Sequence, residues 1–300
     1  MKPIKNMAES VNNRLLNIAR SDNRPFGELL QYYAMERFLY RLSKSSHIES
    51  FILKGALMLR VWNISKFRPT KDIDFLGFTS NDEKNLIIQI VDIISIDTVD
   101  DGLLYDKDSI KTEEIIEDAD YKGLRVRFIC FLGSAKINMQ IDIGFGDHVF
   151  PDPKKMNFPT ILNFPAPILT CYSLETAIAE KFQIMIKRGI LNSRMKDFYD
   201  IWTLSRQFNF DGILLSKSIK KTLDARDTSL DSNIEAFSVE FAKEKQTQWR
   251  AFIKKIKQDH IPESFLDITS GIKSFIEPIL NSLCNNEDFN KAWIIPGSWK

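Results

Sequence analysis

The chain of 300 residues is poor in the side chains on which many metal and redox sites depend. It has three histidines and only three cysteines, Cys130, Cys171 and Cys284, and neither set has the spacing of a metal site. An odd number of distant cysteines also argues against a disulfide framework. We therefore expect buried thiols and a reducing, cytoplasmic setting.

Two further absences narrow the class of protein. No apolar run approaches the length needed to cross a bilayer, and the first six residues turn polar at once, so we expect neither a membrane span nor a signal peptide. The formal net charge is only +1, so nucleic acid could be bound only through a local basic patch. A hydrophobic share of 44 % is typical of a globular protein.

The order of predicted elements indicates two domains. The first fifty residues are predicted to be helical, and strands at 50–53, 124–132 and 136–145 then alternate with helices at 56–62 and 82–94, which favours a sheet covered by helices. The acid-rich stretch 97–120 is interpreted as a solvated edge and loop with some strand near Ile115. A proline-rich passage marks the boundary. The remainder is predicted to be helical at 173–187, 195–208, 211–223, 233–257 and 262–283, with an irregular tail from residue 285.

Two aspartates one residue apart, Asp72 and Asp74, are the most informative feature of the chain. If the segment is extended, both carboxylates leave one face of the strand, while Ile73 and Phe75 leave the other. Carboxylates held this close can bind divalent cations, as phosphoryl-transfer sites require. The alternative is a solvated strand edge, because the motif alone has low specificity.

Asp142 is a third carboxylate candidate. Apolar residues occupy every odd position from Ile137 to Phe145, so Asp142 lies on the opposite, polar face of a predicted strand. Burying a charge in such a strand is costly unless the charge is paired or bound to metal. A polar face turned to solvent remains the other interpretation.

A lysine and two acids interrupt apolar helix faces in the second half. Lys181 has apolar neighbours three and four residues away in the helix 173–187. Asp197 and Asp200 lie three residues apart on one face of the next helix. Such groups are consistent either with the edge of an active site or with ion pairs. Asp197 is the better functional candidate, and Asp200 could form an ion pair with Arg194 or Lys187.

These motifs, taken in order, resemble the AbiEii family of nucleotidyltransferase-like toxins, which occur in abortive-infection and MenT-type toxin–antitoxin systems. The similarity spans residues 53–202 and rests on Leu53-Lys54-Gly55-Ala56-Leu57, Arg68-x-Thr70-x-Asp72-Ile73-Asp74-Phe75, Ile141-Asp142-Ile143, Ser173-Leu174-Glu175-x-x-Ile178-Ala179-Glu180-Lys181 and Arg194-x-Lys196-Asp197-x-x-Asp200. One position departs from the pattern: Ala56 stands where glycine or serine is usual, and alanine offers phosphate a backbone N–H but no hydroxyl.

The resemblance implies an α+β protein. Residues 1–165 would form a DNA-polymerase-β-like nucleotidyltransferase domain with a mixed sheet, and residues 166–300 a helical domain. Mg²⁺, or Mn²⁺, would be bound by three acids, Asp72, Asp74 and Asp142. The nucleotide would be bound by Lys54, Gly55, Ala56, Arg68, Thr70 and Lys181. The catalytic residues would be Asp72, Asp74, Lys181 and Asp197.

The activity that the resemblance implies is transfer of a nucleoside monophosphate from an NTP to an RNA, above all to a tRNA 3′ end. A cognate antitoxin would be the protein partner. Four basic residues lie near Lys181 and Asp197 in the sequence: Lys187, Arg188, Arg194 and Lys196. They could contact RNA, or they could simply lie on the solvent-exposed face of a helix. Two other functions remain open, a metal-dependent nuclease and a non-catalytic nucleotide-binding protein in which Ala56 marks lost activity.

Overall fold

The computed structural model describes residues 6–64, 68–117, 121–147, 149–230, 234–256 and 260–300. The chain divides into two compact units, the first made of Met1–Gly146 and Lys154–Cys171 and the second of Asp147–Pro153 and Tyr172–Lys300. The predicted domain boundary between residues 165 and 166 stays a prediction. Over the described ranges, no helix combines the length and the apolar character that crossing a membrane requires.

The first unit contains a seven-stranded mixed sheet and its covering helices. The helices are α1 (Met7–Ser21), α2 (Phe26–Lys44), α3 (Met58–Val61) and α4 (Glu83–Ile94). The strands are β1 (Phe51–Lys54), β2 (Ile73–Gly77), β3 (Leu103–Glu117), β4 (Tyr121–Leu132), β5 (Ala135–Phe145), β6 (Lys154–Asn157) and β7 (Ile168–Cys171). Their order across the sheet is β3-β4-β5-β2-β1-β7-β6. The pairs β2–β5 and β1–β7 are parallel, and the other neighbours are antiparallel.

Alternation along β5 determines which face of the sheet is covered. Ile137, Met139, Ile141 and Ile143 are buried in the core, where α2 packs against the strand. Ile73 and Phe75 of β2 belong to the same core. The alternation predicted from the sequence is therefore confirmed, and the intervening polar side chains lie on the other face.

The acid-rich stretch was predicted to be mainly loop with some strand near Ile115, and the structure contains much more strand than this. Fifteen residues form β3, which pairs with β4 through a register shift between Asp106 and Lys111. As the outermost strand of the sheet, β3 has one neighbour, so its acids remain in contact with water while its backbone is paired. Two of the acids in the predicted stretch, Asp118 and Asp120, lie outside the described residues.

The second unit is mainly helical, as predicted. Its helices are α5 (Leu174–Arg188), α6 (Met195–Gln207), α7 (Gly212–Ala225), α8 (Val239–Ile256) and α9 (Phe265–Cys284). Ser173 caps α5, since its hydroxyl accepts a hydrogen bond from the Thr176 N–H. The helix predicted at 233–257 begins later, at Val239; its predicted end residues, Asn233 and Lys257, lie outside the described part of the chain.

The prediction of an irregular tail was wrong. Three short strands, β8 (Phe210–Asp211), β9 (Ala292–Ile294) and β10 (Ser298–Trp299), form a small sheet in the order β10-β9-β8. Trp293 and Trp299 pack on Phe275 of α9, with ring centroids 4.8 and 5.6 Å away. This aromatic packing stabilises a segment in which Pro296 and Gly297 separate residues with high strand propensity.

Candidate functional site

Three carboxylates converge on the polar face of the first unit. One oxygen from each of Asp72, Asp74 and Asp142 can be chosen so that all three lie within 4.8 Å of one another. Asp74 of β2 lies directly opposite Asp142 of β5 in the parallel ladder, and Asp72 precedes β2 by one residue. The predicted grouping of these acids from two distant segments is therefore present in the structure.

The residues present fit a divalent metal. Three carboxylates this close repel one another, so a cation among them would remove an unfavourable interaction. The donors are all oxygen atoms, which Mg²⁺ and Mn²⁺ prefer. Only Asp142 is buried, with 6 % of its surface exposed, while Asp72 and Asp74 are partly accessible to solvent.

Contacts with α2 and β5 hold the segment that carries Asp72. The Thr70 hydroxyl donates a hydrogen bond to Asp72 Oδ1, and the Thr70 N–H donates to the Tyr32 hydroxyl at 3.1 Å. The Gln31 amide donates to the carbonyl oxygens of Lys71 and Asn138 at 3.2 and 3.1 Å. These hydrogen bonds restrict the position of Asp72, and none of them involves its Oδ2.

Gly55 leaves space for the carboxylate of Asp74. Its φ of +71° suits glycine, and a Cβ added there would lie 1.9 Å from Asp74 Oδ2 and 2.7 Å from Asp74 Cβ. Where a helix was predicted for residues 56–62, a 3₁₀ turn, Gly55–Leu57, precedes the single turn of α3. The structure thus gives Gly55 a steric role beside Asp74, whereas its predicted contact with nucleotide stays a prediction.

The other predicted nucleotide-binding residues of the first unit lie near the same segments. Lys54 is directly opposite Asp74 in the β1–β2 pair and is buried. Arg68 and Thr70 are also buried, in the irregular segment that leads to Asp72, and Ala56 is buried in the 3₁₀ turn. Their predicted contacts with phosphate remain predictions.

Arg125 is a site residue that the sequence did not single out. It lies on β4 directly opposite Asp142 of β5. Its Nε donates to Asp142 Oδ1 and its Nη2 to Asp142 Oδ2, both at 2.7 Å. These hydrogen bonds raise the pKa of Arg125 above its ordinary value. One face of the carboxylate triad therefore carries a fixed positive charge.

Lys181 and the two acids of α6 form a buried ion-pair cluster in the second unit. Lys181 Nζ lies 3.0 Å from Asp197 Oδ1 and 2.9 Å from Asp200 Oδ2, and Arg194 Nε lies 2.6 Å from Asp197 Oδ2. Both aspartates are at most 1 % exposed. Burial by itself would raise the pKa of Asp197, but the charges of Lys181 and Arg194 outweigh it and hold that pKa below its ordinary value.

This cluster gives each of its members a structural role. Asp200 forms an ion pair, as one interpretation of the sequence predicted, and Lys181 is a partner that the sequence did not suggest. The catalytic roles of Lys181 and Asp197 stay predictions, because the cluster accounts for both side chains within their own unit. Lys187 and Lys196 are exposed and Arg188 is half-buried, and contact of these residues with RNA likewise remains a prediction.

A mixed sheet with three converging carboxylates defines a candidate divalent-metal site of the kind that phosphoryl-transfer enzymes use. Residues 37–270 match the profile of a protein family described as "Nucleotidyl transferase AbiEii toxin, Type IV TA system". The chain belongs to this AbiEii family of nucleotidyltransferase toxins. The sequence-based identification of the family is therefore confirmed.

Comparison with curated proteins finds no match. Among solved structures, a Helicobacter pylori protein provisionally called a nucleotidyltransferase is similar, with 13 % identity, a TM-score of 0.47 and coverage of 87 % of this chain and 98 % of that chain. The structure of JHP933 from Helicobacter pylori is similar with 12 % identity, a TM-score of 0.48 and coverage of 86 % and 95 %. Similarities this low carry no argument about function.

Proposed function

We propose that this protein is a cytoplasmic toxin that transfers a nucleoside monophosphate from an NTP to the 3′ end of an RNA, most readily a tRNA. One observation carries the proposal: three carboxylates, one from β2, one from the residue directly before β2 and one from β5, lie together in a member of a nucleotidyltransferase toxin family. The family supports NTP as substrate, and the oxygen donors support a divalent cation, Mg²⁺ or Mn²⁺.

In this proposal Asp72, Asp74 and Asp142 hold the cation. When bound, it lowers the pKa of the attacking hydroxyl and neutralises charge on the departing pyrophosphate. Thr70 keeps Asp72 oriented, and Gly55 gives Asp74 its space. Further phosphate contacts come from the side chains of Lys54 and Arg68 and from the Ala56 N–H, and positioning of the two substrates supplies much of the rate.

The bonds exchanged are those of phosphoryl transfer. The oxygen of the RNA 3′ hydroxyl forms a bond to the α-phosphorus of the NTP. The bond between that phosphorus and the oxygen bridging to the β-phosphate breaks, pyrophosphate leaves, and the hydroxyl proton passes to water. No covalent intermediate with the protein is required, which agrees with a site built from carboxylates.

The direct test is incubation of the protein with each labelled NTP, Mg²⁺ and total tRNA. We expect label in RNA with at least one nucleotide, and loss of that label for Asp74→Asn, which removes charge at nearly constant volume. Glu114→Gln is the matched control, because Glu114 is an exposed acid on β3 outside the triad. A folded protein that labels no RNA with any NTP would overturn the proposal.

The same experiment separates the two other functions. RNA or DNA cut in the presence of Mg²⁺ without NTP indicates a nuclease that uses the same carboxylates to activate water. NTP binding without turnover indicates a non-catalytic binding protein. Growth arrest on expression, relieved by a co-expressed antitoxin and abolished by Asp74→Asn, tests the toxin role and its dependence on catalysis.

A further inference from the structure

A row of four charged residues crosses the centre of the sheet. Lys54 of β1 lies opposite Asp74 of β2, Asp74 lies opposite Asp142 of β5, and Asp142 lies opposite Arg125 of β4. Residues directly opposite each other in a ladder present their side chains on the same face. The two aspartates of the row are therefore flanked by one cation on each side.

The hydrogen bonds to Asp142 leave little of its carboxylate available. Oδ1 accepts from Arg125 Nε, and Oδ2 accepts both from Arg125 Nη2 and, at 3.3 Å, from the Gln140 amide. A carboxylate has about four acceptor positions, two on each oxygen. Three are used, so a cation that joins the triad can reach Asp142 only through the remaining position of Oδ1.

Arg125 is itself held on its other side. Glu113 of β3 lies opposite Arg125 in the ladder, and its Oε1 lies 3.5 Å from Arg125 Nη1 and 3.0 Å from Arg127 Nη1. Arg125 therefore has an acid on either side, and its guanidinium forms a two-pronged contact with only one of them, Asp142. Such a paired contact fixes the plane of the carboxylate as well as its position.

We propose that Arg125 is a positioning residue that fixes Asp142 as a single-oxygen ligand and weakens cation binding by the triad. This inference rests on the proposed function, since it concerns the metal site of that reaction. Before a cation binds, the guanidinium compensates the repulsion among three carboxylates. After a cation binds, the same positive charge lies one carboxylate away and opposes it. The arrangement gives up affinity for the metal and gains a fixed geometry.

Two substitutions separate charge from geometry. Arg125→Gln removes both the charge and the two-pronged contact, so we expect Mn²⁺ to bind about tenfold more tightly, while transfer to RNA falls at least about tenfold because Asp142 is no longer oriented. Arg125→Lys keeps the charge but cannot form two parallel hydrogen bonds. We expect it to keep the Mn²⁺ affinity within about threefold of the wild type and to lose transfer.

The measurement is Mn²⁺ titration of the full chain at pH 8, followed by calorimetry and by the electron paramagnetic resonance of free Mn²⁺, without NTP. Lys136→Gln is the control, because Lys136 is an exposed cation on β5, on the same face of the strand as Asp142, and lies opposite Phe131 rather than beside the triad. We expect the control to match the wild type in Mn²⁺ affinity and in transfer.

The outcomes are distinct. Tighter Mn²⁺ binding together with slower transfer in Arg125→Gln supports the inference. Unchanged or weaker Mn²⁺ binding in a folded Arg125→Gln protein overturns it and leaves the proposed function standing, provided that the wild type binds Mn²⁺ and labels RNA. Tighter Mn²⁺ binding with unchanged transfer in Arg125→Gln overturns the positioning role, and absence of Mn²⁺ binding in both the wild type and Arg125→Gln overturns the inference as a whole. Only a wild type that labels no RNA overturns the proposed function.

Discussion

Replacing Gly55 by alanine tests the steric basis of the carboxylate site. The added methyl group would lie 1.9 Å from Asp74 Oδ2, 2.5 Å from its Cγ and 2.7 Å from its Cβ. Rotation of the aspartate about its side-chain bonds cannot relieve a contact with Cβ, so the backbone of β1, of β2 or of the turn must shift. We expect Gly55→Ala to displace Asp74 from the triad.

The size of the effect has two parts. A left-handed φ costs a non-glycine residue roughly 1–2 kcal/mol, which lowers the melting temperature of a unit of this size by roughly 2–8 °C. The second part is a loss of metal affinity, because Asp74 is one of the three carboxylates proposed to bind the cation. Disturbances next to metal ligands typically weaken affinity about 10- to 100-fold, and we expect Mn²⁺ binding to fall in that range.

Thermal unfolding and Mn²⁺ titration of the same preparation measure the two parts separately. Gly27→Ala is the matched control, because a Cβ at Gly27 meets no heavy atom within 4 Å and Gly27 lies in the first turn of α2. The control should keep its Mn²⁺ affinity and change in stability by at most about 1 kcal/mol. A folded Gly55→Ala protein with wild-type Mn²⁺ affinity would refute the reasoning.

Three further predictions concern stability. Lys181→Gln removes a positive charge from the buried carboxylates of Asp197 and Asp200, so we expect the free energy of unfolding in urea to fall by about 3–5 kcal/mol. The double variant Lys181→Gln/Asp200→Asn should recover part of this free energy, because it also removes one of the buried negative charges. Equal stability of the single and double variants would contradict the ion-pair role. Because the pKa of Asp197 is lowered in the folded state, its ionised carboxylate stabilises the fold at pH values above the ordinary aspartate pKa of about 4. This stabilisation is lost as the pH falls towards the folded-state pKa. The difference in unfolding free energy between wild type and Asp197→Asn, measured by denaturant titration, should therefore shrink from pH 7 to pH 3. Ile73→Ala leaves a cavity in a fully buried part of β2 and should cost about 2–5 kcal/mol; a loss below about 1 kcal/mol would show that the core there can collapse.

The grouping of the site's aspartates on one face of the sheet was predictable, because the alternation of side chains along a strand can be read from a short stretch of sequence. Alternation of apolar and polar residues along β2 and β5 is enough to assign Asp72, Asp74 and Asp142 to polar faces. The turn at Gly133 and Ser134 was also predicted, and a two-residue hairpin turn fixes the register of its strands. Counting back from that turn places Arg125 opposite Asp142, so the sequence contains a signal for this residue, although Arg125 lies in none of the motifs described above.

Other features depend on contacts between distant segments and could not be predicted. The steric need for Gly55 arises from Asp74 in the neighbouring strand, and local sequence does not reveal such a close approach. The length of β3 depends on pairing with β4, which stabilises strand structure in a segment with an unfavourable acidic composition. The tail forms strands because Trp293 and Trp299 find an aromatic surface on α9.

The order of strands separates the part of the chain that must stay constant from the part that can vary. β2 and β5 are neighbours, although α4, β3 and β4 come between them in the sequence. Because β3 occupies the outer edge, insertions or deletions in α4 or β3 leave the alignment of Asp74 with Asp142 unchanged. We therefore expect distant relatives to differ widely in length over this interval, and alignments anchored on the two aspartate segments to recover relationships that uniform gap penalties miss.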